Sequence, residues 1–120
     1  MITDLNKKFQ KELNSGITAL VLLAVMEQAT EPLYGYQIAK TLEEKNEDMI
    51  LKQGALYPVL RSLESGGMLD SHVDPSVSGP PRRYYRITEL GSNTLFEWKE
   101  IWAKTRDFIE NILQGENNDI

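Results

Sequence analysis

Arg82, Arg83 and Arg86 follow Gly79-Pro80-Pro81 and form a cluster of three arginines within five residues. Guanidinium groups beside a turn of this kind suit phosphate, because each presents a planar fork of donors and keeps its charge at any physiological pH. A second set of polar groups opens the apolar-periodic stretch from Gln53 to Ser65. Gln53 and Tyr57 stand at its start and Arg61 one turn further on, where their side chains offer hydrogen bonds to base edges or phosphates. Trp98 and Trp102, one helical turn apart, offer flat faces for packing or stacking. Catalysis is not indicated. Tyr84, Tyr85 and Arg86 with a carboxylate are the nearest approach to reactive groups, and nothing gathers a nucleophile, a base and an oxyanion donor. There is no cysteine and only one histidine, His72, so disulfides, thiolate chemistry and multi-histidine metal sites are excluded, and no catalytic residue, metal or cofactor is expected.

These groups sit in a chain of 120 residues, 41% hydrophobic and 26% charged, the size and composition of one ordinary globular domain. The net charge of −5 argues against nucleic acid as a partner, but its distribution argues the other way. Segment 52–88 carries five bases against three acids and is the one net-positive stretch. The longest apolar run, Ala19 to Met26, is far short of the roughly 18 residues that a membrane span needs, and the N-terminus has no secretory pattern. A cytoplasmic protein without membrane contact is expected.

The elements that must position these groups follow from periodicity. Ile2, Leu5, Phe9 and Leu13 make a short amphipathic helix, punctuated by Asn14-Ser15-Gly16. Ile17 to Gln28 is apolar on nearly every side and reads as a core helix ended by Glu31-Pro32. A further helix spans Tyr34 to Asn46. The next runs from Gln53 to Ser65 with Gly66-Gly67 as its stop, although Pro58 predicts a kinked first turn or a start nearer 57. Met68 to Val73 and Arg82 to Thr88 read as a hairpin. Thr88 caps a last helix, Glu89 to about Leu113, in which Leu95, Trp98, Trp102, Thr105, Ile109 and Ile112 are spaced as a heptad seam. That seam suits either a partner helix or the chain's own core.

Three short helices and then a basic hairpin make the order of a winged helix-turn-helix, a mainly α (α+β) fold, here with an N-terminal helix and a long C-terminal one. The domain division is an N-terminal helix over 1–14, a DNA-binding unit over 15–88, a dimerisation helix over 89–114 and a disordered tail over 115–120. The competing reading is a winged-helix module that binds protein and no DNA. The strings Pro32-Leu33-Tyr34-Gly35-Tyr36-Gln37-Ile38, Gly54-Ala55-Leu56-Tyr57-Pro58-Val59-Leu60-Arg61-Ser62-Leu63-Glu64 and Gly79-Pro80-Pro81-Arg82-Arg83-Tyr84-Tyr85-Arg86-Ile87-Thr88 occur in that order.

With those strings the chain resembles PadR-like transcriptional regulators over roughly 17–91. The resemblance implies a homodimeric repressor that binds a pseudo-palindromic double-stranded operator and leaves it when a small aromatic or drug-like effector binds. It implies DNA contacts from Tyr36, Gln37, Gln53, Gly54, Tyr57, Pro58, Arg61, Arg82 and Arg83. An effector would stack on Trp98 and Trp102, and the dimer would form through Leu5, Phe9, Leu13 and the C-terminal seam. The acidic residues Glu43, Glu44, Glu47 and Asp48, and Pro80-Pro81 in the wing, depart from the pattern and imply modest affinity for DNA.

Overall fold

The computed structural model describes residues 2–45, 53–75 and 79–115, with side chains for all of these but Ile2 and Gln53. Glu47 and Asp48, the wing-loop residues 76–78 and the tail from 116 onward lie outside the described residues. The chain forms α1 (Ile2–Gln28), β1 (Leu33–Tyr34), α2 (Gly35–Lys45), α3 (Gln53–Ser65), β2 (Leu69–Asp74), β3 (Arg82–Ile87) and α4 (Glu89–Gln114). The three strands make an antiparallel sheet in the order β1-β3-β2.

α1 does not break at Asn14-Ser15-Gly16; it is one helix of 27 residues. Asn14 works inside the helix, its side chain accepting from Gln10 Nε2 at 2.7 Å while its carbonyl takes the Thr18 hydroxyl. Gly16 meets nothing where a Cβ would stand, and a mid-helix glycine costs only about 1 kcal/mol relative to alanine, which packing at the helix's other end outweighs.

α3 keeps the bounds Gln53–Ser65 and runs through Pro58 instead of starting nearer 57. The proline removes one bond, to the carbonyl of Gly54, and Gly54 is exposed, so water can satisfy that carbonyl. Gly67, at φ 81°, ends α3: its N–H donates to Glu64 at 2.9 Å and that of Met68 to Leu63 at 2.9 Å, the paired bonds of a Schellman stop. The hairpin follows at once, with Leu69 opposite Ile87 and Asp74 opposite Arg82. Thr88 caps α4 by accepting from the Gly91 N–H at 3.0 Å, and Gly115, at φ 68°, closes its other end.

The core lies where these elements converge: Leu22, Leu23 and Met26 of α1, Ile38 of α2, Leu56, Leu60 and Leu63 of α3, Leu69 of β2, Tyr85 of β3 and Leu95 of α4. It occupies only part of a long molecule. The radius of gyration is 17.0 Å and the extents are 63 × 37 × 23 Å, against about 14 Å of radius for a compact chain of this length. α1 and α4, of 27 and 26 residues, are its longest elements. No helix among the described residues is long and apolar enough to cross a membrane.

Candidate nucleic-acid interface

Side-chain alternation along β3 separates the two neighbouring arginines. Arg83 and Tyr85 point to the face that meets the helices, and Arg82, Tyr84 and Arg86 to the other. On the helix side, Arg83 and Tyr85 join Tyr57, Arg61, Glu64 and Ser65 of α3 around an open notch of about 580 Å³. Arg83 Nη1 donates to Ser71 Oγ at 2.9 Å, and that hydroxyl donates to Glu64 Oε2 at 2.6 Å. Two guanidiniums and one carboxylate leave the notch net positive. Burial raises the pKa of the Tyr85 hydroxyl, the nearby Glu64 carboxylate adds to the rise, and the phenol stays a neutral hydrogen-bonding group there.

On the opposite face Arg82 lies over the Tyr34 ring, 4.7 Å from its centroid. Tyr34 also meets Tyr84 edge-on at 5.3 Å and stacks at 6.3 Å with Tyr36, which is 52% exposed. His72 stacks on Tyr84 at 5.6 Å. Gln37 accepts the Tyr34 N–H through Oε1 at 3.1 Å, so its carbonyl is committed to the start of α2 while its amide NH₂ keeps its donors. Arg86 pairs with Asp70 across the strands at 2.8 Å.

Of the residues expected at DNA, the structure therefore brings Tyr57, Arg61 and Arg83 together in the notch, and Tyr36, Gln37 and Arg82 together at the β1–α2 junction. Gly54 and Pro58 are exposed along α3. The Gln53 side chain lies outside the described residues. Tyr57 has a packing role as well: a Cβ at Gly35 would lie 2.8 Å from the Tyr57 ring and hydroxyl, so the glycine that opens α2 makes room for the tyrosine of α3. Glu64 and Ser71 carry no signal of a role at DNA in the sequence. Period-2 alternation does put 71, opposite 85, on the helix face, but only the fold sets Glu64 beside it.

The expected dimer and effector residues divide differently. Leu5, Phe9 and Leu13 of α1 and Trp102, Ile109 and Ile112 of α4 are exposed. Thr105 is exposed too. Leu95 corrects the expected seam: at 2% exposure it belongs to the chain's own core and cannot meet a partner. Trp98, half-buried, packs against that core. The seam begins inside the monomer because the first turns of α4 pack into the core that α1 helps to build. Trp98 and Trp102 line an open, mainly apolar groove of about 450 Å³ between α4 and the Glu12–Leu20 stretch of α1, and Glu12 is the one charged residue in its lining.

Helices backed by a hairpin whose basic strand faces α3 define a winged helix-turn-helix protein. The model of the Transcriptional regulator PadR-like family matches residues 22–97, and the chain belongs to that family. It is similar to a PadR family transcriptional regulator from Eggerthella lenta, at 33% identity over 93% of this chain and 95% of that one, with a TM-score of 0.78. A PadR-like transcriptional regulator from Bacillus cereus is 28% identical over 87% of this chain and 98% of its own, TM-score 0.71. A transcriptional regulator from Clostridium thermocellum is 26% identical, covering 83% and 93%, TM-score 0.72. The chain is thus a DNA-binding transcriptional regulator and not an enzyme.

Proposed function

We propose that this protein is a homodimeric repressor of the PadR type that reads a pseudo-palindromic operator with α3 and the wing, and that a small aromatic or drug-like effector releases it. The observation that carries the DNA reading is the notch in which Arg61 of α3 and Arg83 of β3 face the same opening. Two cations from different elements, one on the helix that enters a major groove and one on the wing beside it, suit adjacent backbone phosphates. Tyr36, Gln37 and Arg82 supply a second set of contacts at the start of α2. Residues 15–88 act as the DNA-reading unit.

The dimer reading is supported by the apolar side chains that α1 and α4 leave uncovered, Phe9 at 65% and Phe108 at 66% exposure among them. Such a face on a soluble protein needs a partner, and a second copy, related by a two-fold axis, supplies the same face. Two recognition helices about 34 Å apart then follow a pseudo-palindrome. The groove beside Trp98 and Trp102 supports the effector reading, because it is mainly apolar, lined by two indoles and by Glu12 as its one charged residue, which suits a planar aromatic compound with a positive charge. Both features lie largely outside the matched span 22–97.

The test is affinity for the DNA just upstream of the protein's own gene, measured at two salt concentrations beside unrelated DNA of equal length. A preference for its own region, with affinity falling steeply as salt rises, is the expected result. Replacing Arg83 with Ala should lower affinity on all sequences and flatten the salt slope by about 0.9, the loss of one phosphate contact. Equal and weak binding to both DNAs, insensitive to salt, would overturn the reading.

A further inference from the structure

Arg83 does not reach the notch as a free side chain. The Ser71 hydroxyl, on the neighbouring strand, accepts from its Nη1 at 2.9 Å and donates to Glu64 Oε2 of α3 at 2.6 Å. The three residues come from three elements, and the hydroxyl uses its donor on one and its acceptor on the other. Glu64 and Ser71 are half-buried, while Arg83 is exposed. An exposed arginine ordinarily loses much rotamer freedom when it binds a phosphate, and pre-ordering removes that cost.

We propose that Ser71 and Glu64 are positioning residues for DNA: they tie the Arg83 guanidinium to α3, so that the wing's phosphate contact is set in register with the recognition helix before DNA arrives. The ligand is one phosphate of the duplex backbone. Nη1 is committed to Ser71, and the other guanidinium nitrogens keep donors for a phosphate at the opening that Arg83 lines with Arg61.

This inference rests on the DNA-binding reading above, and the experiment separates the two. Affinity and salt slope for upstream DNA are measured for the full-length protein, Ser71→Ala, Ser71→Thr, Arg83→Ala and the Ser71→Ala/Arg83→Ala double variant, with thermal unfolding as a check on the fold. Ser71→Ala should weaken binding about three- to tenfold, the range that loss of one ordinary hydrogen bond allows. Ser71→Thr, which keeps the hydroxyl on the same strand face, should restore most of it. In the Arg83→Ala background, Ser71→Ala should change nothing, because there is no guanidinium left to hold. An equal loss in both backgrounds, or no loss in either, overturns the proposal while leaving Arg83 as a contact. If Arg83→Ala itself leaves affinity and slope unchanged, the assignment of the wing arginine to DNA fails and the relay with it.

Discussion

Gly91 is the residue most sharply constrained by its surroundings. A Cβ at this position would lie 2.1 Å from the Met68 carbonyl oxygen and 2.7 Å from Ile87 Cγ1. That carbonyl is fixed, since it accepts the Thr88 N–H at 3.1 Å, and the Thr88 hydroxyl bonds the neighbouring Gly67 carbonyl at 2.6 Å. Gly91→Ala should therefore cost about 3 kcal/mol or more, the upper end of overpacking penalties, and lower Tm by roughly 10 °C or more in thermal unfolding. A Tm within about 2 °C of the parent would mean that α4 does not start so close to β2. Nothing in the sequence marks Gly91, which stands in an ordinary amphipathic helix; the tightest constraint comes from Met68, between α3 and β2 and more than twenty residues earlier. Tyr57 teaches the converse. Its string with Gly54 and Pro58 is visible in sequence, yet its packing over Gly35 is a contact between two helices that only the fold brings together.

Helix bounds were legible where apolar period and caps agreed, as in α3, the hairpin and the Thr88 start of α4. They were not legible at Asn14-Ser15-Gly16, where local breaker signals lost to continuous helical bonding, nor at β1, whose two residues have no periodicity and exist by pairing with Tyr85 and Tyr84. α4 shows why a seam read from spacing needs a correction. Leu95 and Ile109 share the heptad pattern, but Leu95 is buried by α1 and its neighbours, while Ile109 is 43% exposed near the helix's far end. Ile109→Asp should therefore leave the monomer fold intact and place a charge in the proposed dimer contact, converting the dimer to monomer at micromolar concentration in sedimentation velocity. A dimer unaffected by this change would mean that the outer half of α4 is not the contact.

At the scale of the molecule, the tryptophan groove between α1 and α4 shares no lining residue with the α3–β3 notch, so an effector bound there would act at a distance and would have to favour one relative placement of the two DNA-reading units of the proposed dimer. A planar aromatic cation added to the protein should quench tryptophan fluorescence and lower affinity for upstream DNA together, as reciprocal coupling requires. Trp102, 40% exposed, is the face free for stacking. Trp102→Ala should weaken binding of that cation, followed by titration calorimetry, about three- to tenfold, with DNA affinity in its absence unchanged. Quenching without any change in DNA affinity would separate the groove from regulation. The −5 net charge is unevenly spread: segment 52–88, which carries the notch and wing arginines, is net positive and the segment from 89 onward is acidic, which orients the molecule as it approaches DNA.

The sequence by itself determined the fold class, the order of helices and hairpin, the cap at Thr88, and the family, because these depend on local period, turn chemistry and short motifs that residues carry wherever they are. It also identified Arg61 and Arg83 as separate basic residues. Tertiary structure alone decided that these two share a notch while Arg82, one position away, turns to Tyr34 on the other face, since strand alternation has no meaning until a sheet has an inside. It alone decided that Ser71 and Glu64 meet Arg83 and that Leu95 leaves the seam for the core. Those outcomes depend on which surfaces lie against each other, and side chains far apart in the chain acquire a common environment only when the core brings them together.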